Sequence, residues 1–238
     1  MKRLMMFLAT ISLAFVLAAC GNQTSDKNDH DPAGNPETEE AGNQEVEFTD
    51  DEKLSEDTIV ANINDVEVTG EMYNLIYVQT KIQLDQSGQD VSNLEYVKEL
   101  TIDGLINQEI IRQDAKKAGI VVTDEELNSE FEAIKSDNEE RFQAFLERYH
   151  LTEQAFKDQL LFALTHDKYI ESELPPIEVT DEEVEEAYDE IKKDNEDIAK
   201  LEDVEEQLKT EMIIQKEQES LQKRIEELKE QASIEKFM

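Results

Sequence analysis

The chain has 238 residues, of which 59 are Asp or Glu and 23 are Lys or Arg, giving a formal net charge of −36. A polyanion repels phosphate backbones, so direct nucleic-acid binding is all but excluded, and one cysteine can form neither an intrachain disulfide nor a cysteine-built zinc cluster. Apolar residues make up 38%, against about 45–50% in a usual globular domain, so either part of the chain stays unfolded or the fold is thin and elongated.

Lys2 and Arg3 precede an apolar run from Leu4 to Val16, broken only by Thr10 and Ser12, and Leu17-Ala18-Ala19-Cys20-Gly21 follows. An apolar stretch this short behind positive charges reads as a secretory signal and not as a membrane span. The small residues ending at the one cysteine resemble the lipobox of bacterial lipoproteins. That resemblance implies a signal peptide over residues 1–19, cleavage before Cys20 and a diacylglyceryl group on its sulfur, with palmitate-type acylation. The competing reading is an ordinary signal peptide with a stray cysteine. Each buried methylene of an acyl chain contributes about 0.8 kcal/mol, so two chains hold a protein at the extracytoplasmic face of a membrane without any span. Residues 21–58 carry thirteen acidic and two basic residues and one aromatic, Phe48. So little apolar area cannot offset the ordering entropy, so residues 20–58 are expected to be the lipidated cysteine plus a disordered, charge-extended tether.

Ile59–Ile63 and Val66–Thr69 are β-rich runs separated by Asn64-Asp65, a pair that tolerates positive φ, which predicts a hairpin. From Gly70 the pattern turns helical, first through Met72, Leu75, Ile76, Ile82 and Leu84 to Gln86. Ser92-Asn93-Leu94-Glu95 reads as a capping box opening a long helix through Val97, Leu105, Ile106, Ile110 and Ile111, with Gly119 just past its end. Thr123-Asp124-Glu125-Glu126 opens another helix, residues 138–149 a short one, and Thr152 a third that Pro175-Pro176 stops. Thr180-Asp181-Glu182-Glu183 is a further capping box. A long acidic amphipathic helix is expected from about Asp197 to Gln231; its stripe is too irregular for a heptad seam. The alternating tail Ser233–Phe237 is the late segment able to pair with the early hairpin.

The order of these pieces, carried by Ile59–Thr69, Leu105–Ile111, Ala115–Leu127, Phe142–Leu161 and Ile177–Tyr188, resembles the chaperone module of SurA-type periplasmic chaperones and PrsA-type foldase lipoproteins. One departure is Asp65, where the family usually has Gly. The resemblance implies a mostly α fold: a helical chaperone module over residues 59–238, with a small β-hairpin joined by a C-terminal strand. In such foldases a parvulin prolyl-isomerase domain follows the Val-Thr-Asp-Glu-Glu helix. Here no glycine lies after Gly119 and no histidine after His166. A small α/β domain with a His-bearing pocket is therefore not expected between the parts 59–194 and 195–238, and the chain is expected not to be an enzyme.

The leading expectation is an ATP-independent holdase for unfolded secreted polypeptides, and it is compatible with a dimer. The alternatives are a foldase with residual or partner-supplied isomerase activity, and an acidic helical adaptor for one envelope partner. Strands and helices do not alternate around a cleft as in a solute-binding lipoprotein. No cofactor is implied, and carboxylate pairs at this density report a solvated face. Flexible, amphipathic side chains suit a surface that holds chains of no fixed sequence. The candidates are Tyr73, Tyr77, Phe142, Phe145, Tyr149, Phe156 and Phe162; taken singly each reads first as ordinary helix-bundle core, and the functional expectation attaches to a groove between helices.

Overall fold

The computed structural model describes residues 46–194 and 199–238. The expected signal segment, Cys20 and most of the acidic tether lie outside them. The compact unit is Thr49–Met238. Among the described residues it contains seven α-helices and three strands.

Strands β1 (Ile59–Ile63) and β2 (Val66–Thr69) form the expected hairpin, with Ile63 opposite Val66 and Ala61 opposite Val68. A bulge between Ile59 and Ala61 shifts the register. Asn64 (φ 51°) and Asp65 (φ 68°) both take the left-handed conformation that a two-residue type I′ turn demands. Asp65 accepts this without being glycine because the Asn62 side chain takes its N–H at 3.1 Å. Strand β3 (Ile234–Lys236) then pairs antiparallel with the other edge of β1, Ile63 opposite Ile234, so the order is β2-β1-β3. The tail thus closes on the early ribbon as its alternation predicted.

The turn is a three-way junction. The Asn64 N–H donates to the Ser233 carbonyl at 2.9 Å. Its Oδ1 accepts the Ser233 N–H at 2.9 Å, and its Nδ2 donates to Gln113 Oε1 at 2.9 Å. Gln113 in turn donates to the Ile63 carbonyl at 3.0 Å and to Glu109 at 2.9 Å.

Helices α1 (Gly70–Gln86) and α2 (Leu94–Ala118) pack on each other, and both meet the sheet. Val60, Ile63, Val68, Val97, Leu105, Ile106 and Ile111 are buried, each contributing about 1.5–3 kcal/mol relative to exposure. The cap of α2 sits one residue later than expected: Asn93, not Ser92, is the N-cap, its Oδ1 accepting the Tyr96 N–H at 3.3 Å. Ser92 N–H instead donates to Asp90 at 2.9 Å, which closes a turn just before the helix. At the other end Gly119 (φ 77°) supplies the left-handed residue, and Ile120 N–H reaches back to the Ala115 carbonyl at 2.9 Å.

Helices α3 (Asp124–Asp137), α4 (Glu139–Arg148) and α5 (Glu153–Glu173) form a second layer, with α5 lying on both α2 and α3. Thr123, Asn138 and Thr152 cap them through side-chain oxygens. His150 (φ 52°) ends α4 in the left-handed conformation. Helices α6 (Asp181–Asp194) and α7 (Leu201–Gln231) form a hairpin, and α7 also packs on α2. Helix α7 begins at Leu201, later than the expected Asp197, which lies outside the described residues.

The expected tether ended at residue 58, but Thr49–Thr58 is a strap laid along α1. Glu52 is buried and receives Lys81 Nζ at 2.6 and 2.9 Å. Asn74 reads the strap backbone in both directions, accepting the Leu54 N–H and donating to its carbonyl, each at 2.8 Å. The Ser55 carbonyl lies where a Cβ on Gly70 would stand, at 2.1 Å. Polar long-range pairing replaces the apolar area that the composition lacks.

Candidate functional site

Of the seven aromatic candidates, the structure brings four together and separates the others. Phe142, Phe145, Tyr149 and Phe156 meet Phe131 between α3, α4 and α5, around buried Leu146, Leu151 and Leu160. The rings meet edge to face: Phe142–Phe156 at 5.1 Å and 86°, Phe145–Phe156 at 5.8 Å and 85°, Phe131–Phe142 at 5.7 Å and 83°. Such pairs contribute about 0.5–1.5 kcal/mol beyond their buried area. Lys157 Nζ stands 4.3 Å from the Phe131 centroid and covers its face. Phe142 and Phe156 are buried, whereas Phe145 and Tyr149 are half-buried, their rings 4.6 Å apart and tilted by 40°.

Tyr73 and Tyr77 lie elsewhere, on α1, with centroids 5.3 Å apart and both fully buried. Burial, reinforced by Glu52 and Glu95, pushes the Tyr77 hydroxyl up to about 12. Tyr73 is raised by the same burial and by Tyr77 itself. Phe162 stands alone on α5, half-buried, with the Arg112 guanidinium 5.6 Å from its centroid and His166 at 5.9 Å.

Beside the aromatic layer an open cleft of about 370 Å³ runs between α3 and α5. Val122 and Leu164 give it an apolar part, and Glu125, Glu126, Glu130 and Lys168 give it charge. Val121 at its edge is 66% exposed, and Leu161 is exposed as well. The aromatic count did not find this cleft. Its signal in the sequence is the Ile-Val-Val that runs into the Thr123 capping box.

That box belongs to a repeated joint. Ile120-Val121-Val122-Thr123-Asp124-Glu125-Glu126 recurs as Ile177-Glu178-Val179-Thr180-Asp181-Glu182-Glu183. In the first copy Lys168 of α5 donates to Glu126 at 2.8 Å and to the Val121 carbonyl at 2.8 Å. In the second, Lys216 of α7 donates to Glu183 at 2.6 Å and to the Glu178 carbonyl at 3.1 Å. The lysine hydrogen bond, with the Thr N–H, holds each glutamate down to about 2. A third tie crosses the body, where buried Tyr169 donates to Asp114 at 2.6 Å while Arg224 donates to both, at 3.1 and 2.8 Å.

Among the described residues no three His, Cys, Asp or Glu side chains gather to hold a metal ion. No helix among them is long and apolar enough to cross a membrane. The layer thus presents half-buried aromatic side chains, and the cleft beside it apolar side chains framed by carboxylates.

The sequence model of the SurA-like N-terminal domain matches residues 2–170. The chain belongs to that family. The match ends within α5, so the α6–α7 hairpin and β3 lie beyond it. Among curated proteins the chain is similar to a foldase protein PrsA of Caldanaerobacter subterraneus subsp. tengcongensis, 31% identical over 145 residues, covering 56% of this chain and 43% of the relative. A foldase protein PrsA of Clostridium perfringens is 26% identical over 147 residues, 57% of this chain and 43% of its own length. The chain therefore spans about two fifths of the length of the curated relatives it matches. These likenesses set it within a chaperone and foldase family.

Proposed function

We propose that this protein is an ATP-independent holdase for unfolded secreted polypeptides, held at the extracytoplasmic face of a bacterial membrane by a lipid on Cys20. The observation that carries the reading is the SurA-like match over residues 2–170, the module whose layer α3–α5 holds the half-buried Phe145 and Tyr149 and, between α3 and α5, an open cleft. Aromatic and aliphatic surface of this kind gains free energy from any apolar stretch that covers it, without requiring one sequence. The dense surface charge keeps such a protein soluble while it holds sticky chains. Residues 1–19 are the signal peptide, and the acidic segment after Cys20, up to the strap, is the tether.

Support comes from suppression of client aggregation by the full chain at stoichiometric ratio without ATP, and loss of that effect in Phe145→Ser/Tyr149→Ser. Failure to suppress aggregation overturns the reading. For the anchor, Cys20→Ser is expected to release the protein from the membrane fraction, and continued retention refutes it. The relatives' name, foldase, favours a second reading as a prolyl isomerase. Acceleration of X-Pro isomerisation in a peptide by this chain alone would establish it, and the holdase reading expects none.

A further inference from the structure

The cleft between α3 and α5 holds more negative charge than the joint beside it uses. Val122 and Leu164, both half-buried, line the apolar part of a space of about 370 Å³. Glu125, Glu126 and Glu130 line it from α3. Glu126 and Glu130 lie one helical turn apart, as do Glu125 and Ser129, which keeps this wall continuous.

Lys168 is the cation among the lining residues, and it is fully engaged. An ammonium has three donors. Those of Lys168 go to the two Glu126 carboxylate oxygens at 2.8 and 2.9 Å and to the Val121 carbonyl at 2.8 Å. Glu126 also accepts the Thr123 N–H at 2.8 Å. Among the described residues no hydrogen bond or ion pair reaches the side chain of Glu125 or Glu130, although Glu130 is half-buried. The second joint shows what the fold itself requires. Glu183 and Lys216 repeat the Glu126–Lys168 pair there, but Ala187 stands at the position of Glu130, and Val179 is buried where Val122 is half-buried. A joint of this kind closes without a carboxylate at that position and without an open apolar wall.

These features decide the occupant. The three glutamates do not gather to hold a metal ion. The chain's own residues 21–58, thirteen acidic to two basic, are repelled, and so are a second copy of this polyanion and an anionic membrane. An alkyl stem ending in a cation complements the site, because the methylenes of a lysine or arginine cover apolar surface while the charged head stays at the wet rim. An aliphatic residue next to it in the chain covers more of the same surface, up to Val121, which is 66% exposed at the edge.

We propose that the α3–α5 cleft captures a lysine or arginine flanked by aliphatic residues in an extended client segment, its stem on Val122 and Leu164 and its charge facing Glu125 and Glu130. This rests on the holdase reading and names the client chemistry that one site selects. Apolar contact supplies the hold, and the carboxylates supply the selectivity and the salt dependence.

The test uses the full chain and three short labelled peptides in a Gly/Ser frame. The first has one arginine between valine and leucine. The second carries citrulline, neutral and of nearly the same shape, in place of the arginine. The third keeps the arginine between serines. Fluorescence anisotropy is expected to show the first binding about fivefold tighter than either of the others, the scale of one partly exposed ion pair or of one buried methylene. Added salt is expected to weaken the first peptide and leave the second unchanged. Glu125→Gln/Glu130→Gln is expected to abolish the preference for arginine over citrulline. Glu139→Gln/Glu140→Gln, the same charge change on α4, is expected to keep it, with circular dichroism confirming that both variants retain the helical fold. A preference that survives in the first variant, or falls equally in both, overturns the proposal, as does equal binding of the two arginine peptides. Aggregation suppression is measured on the same samples. Suppression without peptide preference refutes the cleft's role and leaves the holdase reading standing. Peptide preference without suppression keeps the cleft as a cation-selective site and overturns the holdase reading.

Discussion

Replacing Asn64 separates what its backbone does from what its side chain does. Its φ of 51° is a conformation that costs an ordinary L-residue roughly 1–2 kcal/mol. Its side chain makes two hydrogen bonds, to Ser233 N–H and to Gln113, each at 2.9 Å. Both lie at an exposed site, so the lower end of the usual range applies, about 0.5 kcal/mol each. Asn64→Gly keeps the turn and loses the side chain, for an expected loss of about 1 kcal/mol. Asn64→Ala loses both, about 2–3 kcal/mol. Urea unfolding by circular dichroism reads the total. Amide exchange at Asn64, whose N–H donates to the Ser233 carbonyl, and at Phe237, whose N–H donates to the Val60 carbonyl at 3.0 Å, reads the junction itself. Both amides are expected to lose protection ahead of α2. Unchanged stability in Asn64→Gly, or protection lost evenly across the body, would refute the claim that this turn fastens β3.

Three further outcomes follow from other contacts. Lys81→Met strands the Glu52 carboxylate, 4% exposed, and is expected to cost about 3–5 kcal/mol in urea unfolding, while Glu52→Leu/Lys81→Met recovers most of it; equal losses in both would remove the pair from the explanation. Gly70→Ala drives a methyl to 2.1 Å from the Ser55 carbonyl and is expected to cost roughly 1–3 kcal/mol, read as a lower Tm. Glu126 and Glu183 are depressed from 4.5 to about 2 in the folded state. Their contribution is therefore present above the unfolded value and lost as pH falls from about 4.5 to 2. Acid titration of Lys168→Met/Lys216→Met should accordingly show a shallower fall in stability across that window, and an unaltered slope would contradict the joint.

Caps and turns were legible because they are local. Thr123, Thr152 and Thr180 announce their helices through one oxygen and the N–H groups that follow, and Asn64-Asp65 announces the ribbon through φ alone. The β3 pairing was readable because few late segments alternate. What the sequence hid was order built from distant polar partners. The strap reads as tether by composition, since Glu52 finds Lys81 and Leu54 finds Asn74 across gaps that leave no period. The aromatic candidates were hidden in another way. Ring count marks apolar material but not its side, and Tyr73 and Tyr77 face inward with Glu52 near their hydroxyls, whereas Phe145 and Tyr149 are only partly buried. The half-buried stripe on the near half of α7 reads like any amphipathic face, because periodicity shows that a face exists and says nothing of how fully it is covered.

The central strand of the sheet has a consequence for how the molecule assembles in time. Ile63 of β1 waits for Ile234, and nearly all of the helical body lies between them in the chain. A polypeptide emerging amino end first displays one bare side of β1 until that late strand arrives, and pairing across so long a separation is slow. The chain thus passes through a vulnerable interval of its own, with its ribbon open to whatever neighbour reaches it first.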